Sequence, residues 1–116
     1  LINAEKVTKR NSKLYINLAL NYGSKKEIVH SINKLNSKKL KITEKNISSC
    51  LYTKNIPDPD ILIRTGGNQR LSNFMLWQLA YTELFFLKKL WPDFNNKDLK
   101  KIITNFKKSK RNYGSL

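Results

Sequence analysis

The apolar run Ile61-Leu62-Ile63 opens directly into Arg64-Thr65-Gly66-Gly67, and this junction constrains the fold more than any other stretch of the chain. A short, continuous apolar run bounded by breakers reads as a strand covered on both faces, the kind found in parallel sheets. Ahead of it, Ile56-Pro57-Asp58-Pro59-Asp60 holds the backbone extended, because each proline fixes φ and removes a donor. A strand that ends in a glycine pair places a loop at its carboxyl end. Open parallel sheets bind their ligands there.

The rest of the chain reads as further α/β elements. Residues 1 to 10 resemble the tail of a helix, and Leu14, Ile16, Leu18 and Leu20 alternate with Tyr15, Asn17 and Ala19, which predicts a strand. Asn21-Tyr22-Gly23 is a turn, and Ser24 with Glu27 has the spacing of a capping box. The helix it opens carries Ile28, Val29, Ile32 and Leu35 on one side, and Thr43 to Leu51 predicts a second, short helix with Ile47, Cys50 and Leu51 inward. Ser72 or Asn73 is placed to cap a helical segment through Trp77 and Gln78. Tyr81 to Leu87 predicts another strand, closed by Trp91-Pro92-Asp93-Phe94. Asn95 or Asn96 then caps an amphipathic helix through Leu99, Ile102, Ile103 and Phe106, and Lys107 to Leu116 is a basic tail. The alternation predicts a partial parallel sheet flanked by helices.

With 116 residues, 40% of them hydrophobic, the chain has room for one modest core and no second domain. No run of about 18 apolar residues is present to span a bilayer, and no secretory leader is visible, so a cytoplasmic protein is expected. Cys50 is the single cysteine and excludes an intrachain disulfide, while His30 has no neighbours for a zinc site and reads as a helix-surface residue. The formal charge of +15 raises the question of nucleic acid. Its lysines are spread along both ends without a recognition element, and the joint excess of Lys, Asn and Ile fits an AT-rich coding bias. No nucleic-acid partner is expected. Such a surface still favours anionic membranes and diphosphates at long range.

Arginine is scarce, at Arg10, Arg64, Arg70 and Arg111, and two of these flank the glycine loop. A guanidinium presents a planar fork matched to two phosphate oxygens, which a lysine does not. With Gly66, Gly67 and Ser72 nearby, Arg64 and Arg70 form either a phosphate cradle or a solvated turn in which an arginine pairs with Asp58 or Asp60. Glu83 is the lone acid between Asp60 and Asp93, in an apolar stretch. It either pairs with Arg64 or Arg70 or helps hold Mg²⁺, an ion that takes carboxylate and phosphate oxygens. Trp77, Tyr81, Phe85, Phe86 and Trp91 read as packing.

The segment from Asp60 through Arg64-Thr-Gly-Gly-Asn-Gln-Arg70-Leu-Ser to Trp77-Gln resembles a signature of the cis-prenyltransferases, the undecaprenyl diphosphate synthase type of isoprenyl transferase. Ala80-Tyr-Thr-Glu83-Leu-Phe-Phe with Leu90-Trp-Pro-Asp-Phe94 resembles the final signature, and Leu18-Ala-Leu-Asn-Tyr-Gly23 an earlier one. The resemblance implies an enzyme, homodimeric when intact, that adds isopentenyl diphosphate to an allylic diphosphate such as farnesyl diphosphate. Each new double bond would be cis, pyrophosphate would be released, and the product would be a polyprenyl diphosphate such as undecaprenyl diphosphate. It implies Arg64, Arg70, Ser72, Gly66 and Gly67 as substrate-binding residues, and Glu83 as a ligand of Mg²⁺ from the same site or the neighbouring subunit. Membrane contact would be peripheral, through the product.

The family's catalytic aspartate, followed by Gly-Asn-Arg-Arg-Trp or similar, has no counterpart, and the sequence contains no Asp-Gly pair. The chain also opens on Leu1. Residues 1–116 are therefore expected to be the C-terminal portion of a single domain, without a catalytic residue of its own and inactive alone. Ser24-Lys25, where the family often has Gly-Arg, and Lys110 to Gly114, where its tail is richer in arginine, are smaller departures. The competing readings are a non-catalytic interaction subunit of a two-chain prenyltransferase and a small basic nucleic-acid binder.

Overall fold

The structure, a computed structural model, describes residues 1–109. The expected basic tail beyond Ser109 lies outside the described residues. In chain order the elements are α1 (Ile2–Thr8), α2 (Ser24–Ser37), α3 (Glu44–Ser48), β1 (Ile61–Arg64), β2 (Glu83–Phe86), a 3-10 turn (Trp91–Asp93) and α4 (Asn96–Phe106). β1 and β2 pair in parallel, Ile61 opposite Glu83 and Arg64 opposite Phe86. The Glu83 N–H donates to the Asp60 carbonyl at 3.0 Å and the Leu87 N–H to the Arg64 carbonyl at 2.8 Å, extending the ladder at both ends. The α/β class with a partial parallel sheet is as the sequence predicts.

The short helix and the last helix form where their caps place them. Thr43 precedes α3, and its Oγ1 accepts from the Asn46 N–H at 3.2 Å. Ile47, Cys50 and Leu51 turn inward against Leu35 of α2, and Trp77 packs on this cluster while its Nε1 donates to Ser48 Oγ at 3.1 Å. Full burial of a leucine such as Leu35 contributes about 2 kcal/mol. Asn95 caps α4: its side-chain oxygen accepts from the Lys97 N–H at 3.0 Å, and Asp98 accepts from the Asn95 N–H at 3.0 Å. Ile102 is buried beneath α4. His30 is exposed on α2, its ring 5.8 Å from that of Tyr52.

Three expectations are corrected. Residues 14–20 form no strand: Leu14, Ile16, Leu18 and Leu20 are all exposed, and no strand among the described residues pairs with them. Apolar alternation suits a strand, but the ladder needs a neighbour, and β1 and β2 bond to each other. Ser24 and Glu27 form no capping box. The helix already includes Ser24, Gly23 stands at its cap without a side-chain bond, and both side chains are wholly buried in other contacts. The segment after Ser72 is a chain of turns rather than a helix, since Ser72, Asn73 and Met75 adopt φ of 50, 65 and 46°. Left-handed residues interrupt a right-handed helix wherever they stand.

Candidate functional site

Arg64 is the last residue of β1, and the chain leaves the strand through Gly66 and Gly67 at φ of 87 and 78°. A Cβ on Gly66 would meet nothing within 4 Å, so the backbone conformation rather than crowding calls for glycine. The Gly66 N–H donates to the Lys89 carbonyl and the Gly67 N–H to the Leu87 carbonyl, both at 2.8 Å. These amides are engaged in tying the loop to the segment after β2. The glycines thus shape the turn, and their own two amides are engaged within the chain.

Arg64, half-buried, donates from Nη1 to the Arg70 carbonyl and, at 3.0 Å, to Ser72 Oγ. Arg70 and Ser72 are exposed. A guanidinium has five N–H donors in a rigid plane, so anchoring one nitrogen orients the plane and leaves other donors facing outward. Among the described residues neither Asp58 nor Glu83 forms an ion pair with Arg64 or Arg70, whereas Lys89 pairs with Asp98 at 2.8 Å. The structure therefore brings the Arg64 guanidinium onto the Ser72 hydroxyl and the Arg70 carbonyl, on the loop that Gly66 and Gly67 begin at the carboxyl end of a parallel strand.

Glu83 is held apart from this group. It opens β2 opposite Ile61, three residues from the level of Arg64, which is about 10 Å along a strand. Side chains alternate faces along a strand, so Glu83 shares a face with Ile61 and Ile63, whereas Arg64 shares the other with Leu62 and Phe86. End and face both separate the carboxyl group from the guanidinium. Among the described residues no three His, Cys, Asp or Glu side chains gather into a metal-binding group. One chain alone does not fit a Mg²⁺ ion shared by Glu83 and the Arg64 group.

Two residues that sequence reasoning assigned elsewhere hold the Ser72 loop in place. Asn73, read as a possible helix cap for its own segment, caps α2 instead: its Oδ1 accepts from the Lys25 N–H at 2.9 Å and its carbonyl from the Ser24 N–H at 2.9 Å. Ser24 Oγ in turn accepts from the Leu76 N–H at 2.9 Å. Glu27 accepts from the Tyr22 hydroxyl, from the Tyr52 N–H at 2.7 Å and from Gln78 Nε2 at 3.2 Å, joining three loops. Burial, then the bond to Glu27, raises the Tyr22 hydroxyl pKa above its ordinary value of 10.0. The available signals were an asparagine, a residue able to enter the left-handed region, and an acid on the apolar side of a lysine-rich helix.

The fold and the loop define a parallel α/β chain in which the Arg64 guanidinium is anchored on the Arg70 carbonyl and Ser72 Oγ at a strand end. The family model described as "Putative undecaprenyl diphosphate synthase" matches residues 1–114, and the chain belongs to this prenyltransferase family. An isoprenyl transferase of Fusobacterium nucleatum is 45% identical over 113 residues, which are 97% of this chain and 49% of that protein. The crystal structure of a probable undecaprenyl diphosphate synthase from Campylobacter jejuni superposes with a TM-score of 0.89 at 35% identity, covering 98% of this chain and 54% of that one. Lavandulyl diphosphate synthase from Lavandula x intermedia, solved with dimethylallyl diphosphate, gives 0.90 at 36% identity over 98% and 52% of the two chains. The chain spans about half the length of the curated relatives it matches. No helix among the described residues is long and apolar enough to cross a membrane.

Proposed function

We propose that this chain supplies the isopentenyl diphosphate site of a cis-prenyltransferase that extends an allylic diphosphate, such as farnesyl diphosphate, toward a polyprenyl diphosphate of the undecaprenyl kind. The observation that carries the reading is the Arg64 guanidinium, anchored on Ser72 Oγ and the Arg70 carbonyl at the carboxyl end of β1. Arg64 and Arg70 would bind the diphosphate oxygens by charge-assisted bonds and Ser72 would donate to one more. Their work is positioning: a substrate held by its diphosphate presents its reacting double bond at a fixed place to the allylic partner.

In this reading the allylic diphosphate and the catalytic aspartate belong to polypeptide outside these residues. Mg²⁺ and a homodimer enter it together, because a carboxylate directed away from its own cradle can serve a second copy; Glu83 is that carboxylate. The protein would work in the cytoplasm and meet a membrane only through its lengthening apolar product.

Titration calorimetry of the purified chain with isopentenyl diphosphate and with inorganic pyrophosphate tests the reading. Arg64→Lys keeps the charge but loses the fork, and the expected result is binding at least about tenfold weaker. Equal affinity of the wild-type and Arg64→Lys chains for both compounds would sink it.

A further inference from the structure

The Ser72 loop carries a backbone that its residues do not favour. Ser72 and Met75 stand at positive φ, which ordinary side chains disfavour, and Asn73 beside them does too, a residue that tolerates it. Such conformations persist where surrounding contacts over-determine them. Here the contacts come from an element distant in sequence, the first turn of α2.

The first amides of a helix have no partner within it. In α2, two of them, Ser24 N–H and Lys25 N–H, are satisfied by the carbonyl and the side-chain oxygen of Asn73, each at 2.9 Å. The bond from Leu76 N–H to Ser24 Oγ closes the clasp from the other side. Gly23 packs so closely that a Cβ there would lie 2.8 Å from Asn73 Nδ2. Asn73 is therefore seated by two hydrogen bonds and by a gap that only glycine leaves open. It is covalently next to Ser72, whose hydroxyl takes the Arg64 guanidinium.

We propose that Asn73 is a positioning residue for diphosphate binding: by capping α2 it holds Ser72 in the left-handed conformation that orients Arg64, without itself touching the substrate. This inference rests on the diphosphate reading of the cradle. Freed from α2, residues 72 to 75 would relax toward ordinary φ values, the Ser72 hydroxyl would leave Arg64, and the guanidinium would lose the anchor that fixes its plane. Gly23 then acts through the same contact from the opposite side, and its Ala variant is compatible with the backbone, since φ there is −152°.

The experiment is a calorimetric titration of inorganic pyrophosphate into the wild-type chain and into Asn73→Ala, Gly23→Ala, Ser72→Ala and the double variant Asn73→Ala/Ser72→Ala. Helical circular dichroism is followed on each sample. The expected result is that Asn73→Ala and Gly23→Ala each bind about tenfold more weakly while keeping their helical signal. In the Ser72→Ala background, Asn73→Ala should add little, because the two residues act as one unit. Asn73→Ala binding like wild type, or adding its full effect to Ser72→Ala, would overturn the proposal while leaving the diphosphate reading in place. Should Asn73→Ala lose its helical signal, Gly23→Ala decides, since it disturbs the seat and removes no hydrogen-bonding group. Absence of pyrophosphate binding by the wild-type chain would overturn both readings.

Discussion

Glu27 is wholly buried, and its carboxyl group accepts from the Tyr22 hydroxyl, the Tyr52 N–H and Gln78 Nε2. Three donors converging on two oxygens demand a group with no donor of its own. Glu27→Gln keeps the shape but replaces one accepting oxygen by an N–H₂, which faces the Tyr52 N–H in one orientation and in the other forces the Tyr22 hydroxyl and the Gln78 amide to give up their bonds as donors. An unsatisfied buried group costs about 1–3 kcal/mol, and Glu27→Gln should lower the stability measured by urea unfolding by that amount. Unchanged stability would show that these loops are not held through Glu27. Gln78 is anchored by the same logic, since Nε2 also donates to Thr53 Oγ1 at 3.0 Å. The acid between Lys26 and Ile28 was visible in the sequence, but its partners lie 25 and 51 positions away in Tyr52 and Gln78. No local pattern reports such pairings, and the nearest local explanation, a capping box with Ser24, was wrong for that reason.

At the scale of elements, α4 shows what a local signal can deliver. Asn95 caps the helix, Asp98 accepts from the Asn95 N–H, and Lys89 Nζ donates to both Asp98 oxygens at 2.9 and 2.8 Å. Asn95→Ala should cost about 1 kcal/mol, read as a lower midpoint of thermal unfolding. The bond from Lys89, then that from the Asn95 N–H, holds the Asp98 carboxyl below its ordinary 3.8. A depressed carboxylate contributes stability that is fully present above 3.8 and is lost as pH falls through its lower folded value. The Asp98→Asn variant should therefore differ from wild type at neutral pH and converge with it in acid. α3, β1, β2 and α4 were legible because capping and periodicity are written within each segment. The failures share one cause: each depended on a partner elsewhere. Residues 14–20 have the alternation of a strand and no neighbour to bond, and Ser72 to Gln78 yields its helix to the clasp on α2. That Arg64, Arg70 and Ser72 share one loop was legible by type and spacing. The separation of Glu83 from Arg64 was not, because it is set by the register of β1 on β2.

For the molecule as a whole, the surface is the informative quantity. The accessible area is 10134 Å², whereas a compact monomer of 13.6 kDa exposes about 6,600 Å². The radius of gyration, 16.8 Å, likewise exceeds the roughly 13 Å of a compact domain this size. The excess is apolar in part: Leu14, Ile16, Leu18 and Leu20 are 63–76% exposed, on a segment with no strand partner among the described residues. Related proteins are about twice as long, and one of known structure shares this fold across the matched half. Studied alone, the chain carries two opposed terms. Its exposed apolar segment favours association, while a formal charge of +15 drives copies apart. Salt separates these terms, since the screening length falls from about 30 Å at 0.01 M to about 10 Å at 0.1 M and leaves apolar contact unweakened. Sedimentation of the purified chain should therefore show association that grows with ionic strength and binding of a hydrophobic dye. Replacing Ile16 and Leu18 by lysine should reduce both. Association that falls as salt is added would mean that charge pairing joins the copies, and a monomer at every salt concentration would mean that residues 14–20 are covered from within the chain.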